Sequence, residues 1–241
     1  MNGAMSLGKK PSNPPPIPAA PPRRHHKWPW ITLGVIVLLV LFVVGYTGYG
    51  QVPVLANIFG STKPKDLGIH PTEADWFKVS TTVPIQVNGD AGSYSVFGSK
   101  VFTGSVMSST ELTSAEITAW IQHYTTNDPY VRDIQVKFIP GGMEISAFAK
   151  RYLNTPIYVK VMVDRTGTNS VNLDVQKASL GKMPVPGNYI KKFNDYAQKI
   201  LNEHLAAIPG FSIEQLEYKD GSRVFKGTYP ASISTASGSW W

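Results

Sequence analysis

The 241-residue sequence contains no cysteine. That excludes disulfides, thiol chemistry and cysteine-based zinc sites, so a domain exported from the cytoplasm would have to be held by its core alone. Charge is missing in two stretches. Residues 1–29 hold no Asp or Glu beside Lys9, Lys10, Arg23, Arg24 and Lys27, and no charged residue of either sign occurs from Trp28 to Thr62. The net charge of +7 is therefore mostly a property of the first 29 residues; beyond them 18 Lys and Arg stand against 16 Asp and Glu. That balance offers no broad phosphate-binding surface, and no recognition module is readable, so nucleic acid is not an expected partner.

Signatures of chemistry are scarce as well. Of five histidines, His25 and His26 lie in the basic tail, and His70, His123 and His204 form neither HxxxH nor HExxH. The neighbours Glu203 and His204 would diverge around a helix, and His204 reads as a helix-end histidine favoured by the dipole. The acids form no calcium loop or DxD pair. Gly98-Ser99 and Gly104-Ser105 fall in strand-like sequence rather than at a nucleophile elbow, and no glycine-rich phosphate loop is present. No catalytic residue, metal site or cofactor is expected; an active site assembled from distant residues is the alternative.

What is present begins with proline. Residues 1–29 contain eight, including Pro14-Pro15-Pro16 and Pro21-Pro22. They read as a disordered tail with polyproline II character, offering PxxP spacings to an SH3-type partner or simply setting topology. Ile31–Tyr46 is almost wholly apolar, and 30–49 has the length that spans a bilayer. Trp30, Leu38, Phe42 and Tyr46 are the expected anchor residues, with aromatic rings at the interfaces. The preceding positive charges place the N-terminus in the cytoplasm. A cleaved signal peptide and a buried helix are the competing readings. The expected organisation is a cytoplasmic tail (1–29), a transmembrane helix (30–49), a linker (50–65), an extracytoplasmic domain (66–230) and a flexible tail (231–241).

Within the domain, Pro71–Phe77 opens a short helix and Ser99–Ser109 reads as a strand. Thr113-Ser114-Ala115-Glu116 is a capping box, followed by the apolar positions Ile117, Trp120, Ile121 and Tyr124, which predicts a helix over about 113–125. Alternating patterns centre on Ile134–Phe138, Met143–Ala149, Ile157–Val163 and Val171–Val175. Pro186-Gly187 leads into a helix over 188–207, and Asp220-Gly221 joins two closing strands. Short connections imply an antiparallel meander. The fold class expected is α+β: one N-terminal transmembrane helix, then an antiparallel sheet with two longer helices packed on one face.

The helix over 188–207 carries Tyr189, Phe193, Tyr196 and Ile200. These are either plain core or, with Pro184 and Pro186 shaping an entrance, the border of a hydrophobic groove.

Leu112-Thr113-Ser114-Ala115-Glu116-Ile117-Thr118-Ala119, with Ala178-Ser179-Leu180-Gly181-Lys182-Met183-Pro184-Val185-Pro186 and the Asp220-Gly221 hairpin, resembles the YpmS-like membrane-anchored proteins of bacterial envelopes. More remotely the domain is similar to the LmeA-type phospholipid-binding proteins. The resemblance covers 110–230 and the N-terminal anchor, while the proline-rich tail and segment 66–100 depart from it. It implies an extracytoplasmic domain handling lipid or another hydrophobic ligand, with the lipid bilayer and envelope proteins as partners. The alternative is a non-catalytic structural or interaction module with a closed core.

Overall fold

The computed structural model describes residues 62–89, 94, 100–150 and 153–235. Helix α1 (Glu73–Thr82) leads to strands β1 (Gln86–Asn88), β2 (Lys100–Thr103) and β3 (Val106–Thr113). Helix α2 (Ser114–Tyr124) precedes β4 (Val131–Ile139), β5 (Gly142–Ala149), β6 (Thr155–Arg165), β7 (Val171–Leu180) and β8 (Met183–Pro184). Helix α3 (Gly187–Ala207) is followed by β9 (Ser212–Tyr218), β10 (Ser222–Tyr229) and β11 (Ser232–Thr235).

These strands correct the expected single antiparallel sheet. They form three sheets, ordered β1-β11-β2, β3-β10-β9 and β4-β5-β6-β7-β8, and β1 runs parallel to β11. Strand outweighs helix, 45% to 26%, and three helices are present among the described residues. The reason is that local patterning reads hairpins but not distant partners. Strand β10 pairs with β3 from Ser222↔Thr113 to Tyr229↔Val106, across more than a hundred residues of chain.

The single-pass membrane arrangement is corrected too. Among the described residues no helix is long and apolar enough to cross a membrane. The longest, α3, carries Lys191, Lys192, Asp195, Lys199 and Glu203 along its length. The expected tail and the expected span, with Trp30, Leu38, Phe42 and Tyr46, lie outside the described residues.

The five-stranded sheet is closed at both edges by helix side chains. On α2, Ser114, Thr118 and Gln122 repeat every four residues and face the outer edge of β4. Ser114 Oγ accepts from Phe138 N (2.8 Å), Thr118 Oγ1 bonds both Val136 N (3.0 Å) and Val136 O (3.2 Å), and Gln122 Nε2 donates to Ile134 O (2.7 Å). On α3, Asn194 Oδ1 accepts from Val175 N (3.0 Å), and Asn202 bonds both N and O of Val171 (3.0 Å each). Four helical residues rise about 6 Å and two strand residues about 6.7 Å, so such rows stay in step with a strand edge. Each bond satisfies a backbone group that an open edge would leave unpaired.

The apolar faces of both helices meet one face of this sheet. Ile117 and Ile121 pack on Val131, Ile134, Val136 and Phe138. Ile190, Leu201 and Leu205 pack on Val161, Val163, Val171 and Val175, with Ile213 and Phe225 completing that cluster. Two register shifts keep the inward set continuous, between Arg132 and Gln135 in β4 and opposite Lys160/Val161 in β7. At the first, Asp133 takes a positive φ of 54°. Each inserts one residue, so Val131 and Ile134, like Val175 and Ala178, share a face despite their spacing.

Helix α1 is tied to α2 by its own polar contact. The buried Glu116 completes the capping box, accepting from Thr113 N at 2.8 Å, and meets Lys78 Nζ at 2.5 Å. Glu116 holds the Lys78 ammonium above its ordinary pKa.

Replacing Asn202 by Ala leaves the N–H and C=O of Val171 without their partners, an expected loss of about 1–3 kcal/mol in urea unfolding. Ser146→Ala is expected to be neutral or stabilising in the same assay, because the fully buried Ser146 hydroxyl has no hydrogen-bond partner among the described residues. A loss at Ser146 matching that at Asn202 would contradict this division.

Candidate functional site

Between the two helix-covered ends of the sheet, one strip is only partly roofed. It forms a groove of about 520 Å³. The floor is built strand by strand from Val131 of β4, Ala149 of β5, Ile157 and Val159 of β6, and Ala178 and Leu180 of β7. Register places them side by side, Val131 opposite Ala149, Ile157 opposite Leu180, and Val159 opposite Ala178. Crossing four strands gives the floor a width of roughly 14 Å. Val185 and the first turns of α3, through Tyr189, Ile190 and Phe193, make the wall; Tyr130, Leu153, Tyr158 and Ser179 make the rim.

The space has an identifiable cause. Ala149 and Ala178 put methyl groups where the neighbouring parts of the same face carry Val and Ile. Helix α3 crosses this strip with no side chain fully buried, and Tyr189 and Phe193 remain 59% and 50% exposed. An aromatic pair left in water beside an unfilled apolar floor is the arrangement of a ligand pocket, and the volume falls in the ~300–1,000 Å³ range of such sites.

Of the six residues the sequence nominates, Tyr189 and Phe193 line the groove. Pro184, Pro186, Tyr196 and Ile200 do not. Tyr196, two turns beyond Tyr189, is 66% exposed, and Pro186 is the N-cap of that helix, without a side-chain capping bond. The floor residues escape sequence reasoning because alternation marks them as core. The signal for them is the pair of alanines within strands, where alanine is depleted.

At one end of the groove the rim is polar. Tyr158, itself buried, donates its hydroxyl to Glu144 Oε1 at 2.9 Å. Lys65 Nζ lies 3.8 Å from Glu144 Oε2 and 4.0 Å above the centre of the Tyr158 ring. Burial, then the bond to Glu144, pushes the Tyr158 phenol up to about 12.

The three histidines among the described residues are engaged elsewhere. His123 stacks on Trp76 at 3.7 Å, His70 lies 3.6 Å from Asp66, and His204 Nδ1 is 2.7 Å from Ile200 O. Among the described residues no group of three His, Asp or Glu side chains could hold a metal ion. A larger depression of about 670 Å³ between α1 and α2 is open and partly polar, lined by Thr72, Glu73, Gln122, His123 and Thr126 beside Trp76 and Phe77. A smaller apolar space of about 240 Å³ lies under Trp120.

No family model matches the sequence, and no curated protein sequence matches it.

Because the folded state holds the Tyr158 proton more tightly than the unfolded chain, its contribution is complete below pH 10. It is lost as pH rises from about 10 to 12. Tyr158→Phe is therefore expected to flatten the alkaline fall of stability, and unfolding followed between pH 9 and 12 measures the difference. Parallel curves for the two proteins would exclude Tyr158 as its source.

Proposed function

We propose that this domain binds an elongated apolar ligand, such as a lipid chain, in the groove beneath the first turns of α3. The observation that carries the reading is the unfilled strip itself: about 520 Å³ of space floored by Ala149, Ile157, Val159, Ala178 and Leu180. A closed core would fill it. Seating an apolar chain there removes ligand, floor and aromatic wall from water together, at ~25 cal/mol per Å² of apolar surface. The likeness of the 112–119 and 178–186 segments to YpmS-like and LmeA-type proteins supports the same reading. The role is binding, with no chemistry assigned to the site.

One observation favours a second reading, an interaction module. The exposed row on α3 continues from Phe193 to Tyr196, which lies outside the groove. On that reading Tyr196 carries a protein contact and the groove stays empty.

Fluorescence of the neutral apolar dye N-phenylnaphthylamine separates the two. The full-length protein is expected to bind the dye. Ala178→Phe, which fills the floor, and Phe193→Asp, which puts a charge in the wall, are expected to weaken binding by tenfold or more (about 1.4 kcal/mol). Tyr196→Asp is expected to leave it unchanged. Thermal unfolding of each variant checks that the fold is kept. Failure of the wild type to bind, or undiminished binding by Ala178→Phe, would sink the groove reading.

A further inference from the structure

The groove has a neighbour. Where β6 begins and β7 ends, a second cavity of about 300 Å³ shares Ile157, Tyr158 and Ser179 with it. Ile157 and Tyr158 are consecutive in β6 and point to opposite faces of the sheet, so the two cavities flank the end of the strand pair from its two faces. The two cavities differ in chemistry. The groove lining holds no charged residue, whereas the second cavity is lined by Lys63, Lys65 and Lys182 and by no acid.

Resting on the reading of the groove as a ligand site, we propose that its ligand is a single-chain amphiphile with an acidic head group. The chain lies along the groove, and a carboxylate or phosphate head sits against Lys63, Lys65 and Lys182. Three placements support this. Neither Lys63 nor Lys182 has an ion-pair partner among the described residues. Lys65 meets Glu144 at 3.8 Å, so the nearest acid neutralises one lysine of the three. Ser179 lines both cavities; its side chain, alternating with the floor residues Ala178 and Leu180, points to the face of the second cavity, and its hydroxyl has no hydrogen-bond partner among the described residues, leaving it free to donate to the head group. A neutral alcohol would leave the cations unanswered, and a cationic head would be repelled by them.

The test uses the full-length protein and four probes with the same hydrocarbon chain: palmitate, hexadecyl phosphate, hexadecanol and hexadecyltrimethylammonium. Each competes with N-phenylnaphthylamine below its micellar concentration. The two anionic probes are expected to bind about tenfold tighter than hexadecanol at low salt, with that advantage shrinking as salt rises. In the Lys63→Gln/Lys182→Gln variant the advantage should fall below about threefold while hexadecanol binding is unchanged. Both lysines are exposed, so the variant should unfold at the wild-type temperature. The ratio of palmitate to hexadecyl phosphate then distinguishes a carboxylate from a phosphate seat.

Equal affinities for hexadecanol and the anions would overturn the head-group assignment and leave the groove reading standing. Displacement of the dye by inorganic phosphate alone would overturn it too, since the chain would then be dispensable. Binding of none of the probes would remove the groove reading and this inference together.

Discussion

A row of side-chain amides and hydroxyls, spaced to match a strand edge, is the constraint on which the rest of this structure depends. The five-stranded sheet leaves two edges open, at β4 and along the part of β7 that the short β8 does not cover. Ser114, Thr118 and Gln122 close the first; Asn194 and Asn202 close the second. Each helix is thereby fixed over an outer strand, and its apolar face turns onto the sheet beside it. Two helices held at opposite edges do not meet over the middle, and the strip they leave is the groove. Strand β9 is closed by simpler means. The turn after β6 supplies Thr168 O to Ile213 N, and Arg165 donates to Glu214 O.

The two bulges belong to the same design. They lie in β4 and β7, the outermost strands of the groove floor, next to the floor residues Val131 and Ala178. They also switch the parity of the inward residues, so that Ala178 and Leu180 reach the groove from a strand whose earlier inward positions, Val171 and Val175, are filled core. Small side chains at the centre and branched ones at the ends give a sheet that is closed at both sides and hollow between. The polar rim at Tyr158 and Ser179 then joins this dry strip to a wet, lysine-lined end.

Much of the chain's local structure is legible in its sequence. The capping box at Thr113 marks the start of α2, and Val131–Ile139, Gly142–Ala149 and Thr155–Arg165 announce themselves by alternation. The assembly is not legible, because neither the pairing of β10 with β3 nor that of β11 with β1 and β2 leaves a mark in either segment. The edge-closing rows are hidden for a different reason. Asn194 and Asn202 sit on a helix among Lys191, Lys192, Asp195 and Glu203, where polar residues read as a solvent face. Only the strand edge opposite reveals what they bond. At the site, Tyr189 and Phe193 stand out because large aromatics on a charged helix are conspicuous. Ala149 and Ala178 leave only the weak signal of alanine inside a strand, because a side chain that matters by its smallness adds nothing to the alternation. Tyr196 and Ile200 have the same periodicity as the wall residues, each seven residues on from one of them, but lie two turns further along α3, past the end of the groove.

That orientation makes α3 unequal along its length. From Asn194 to Leu205 it is bonded to β7 and packed on the core. Before Asn194 it begins at Pro186 with no side-chain cap, packs Ile190 on the core and carries Tyr189 and Phe193 largely in water. Local opening therefore costs little at the start of the helix and much more towards its end. The first two turns make none of the side-chain bonds to the sheet edge, which begin at Asn194, so on the groove reading proposed above they are the part of α3 that would yield to an entering chain while the rest stays in place.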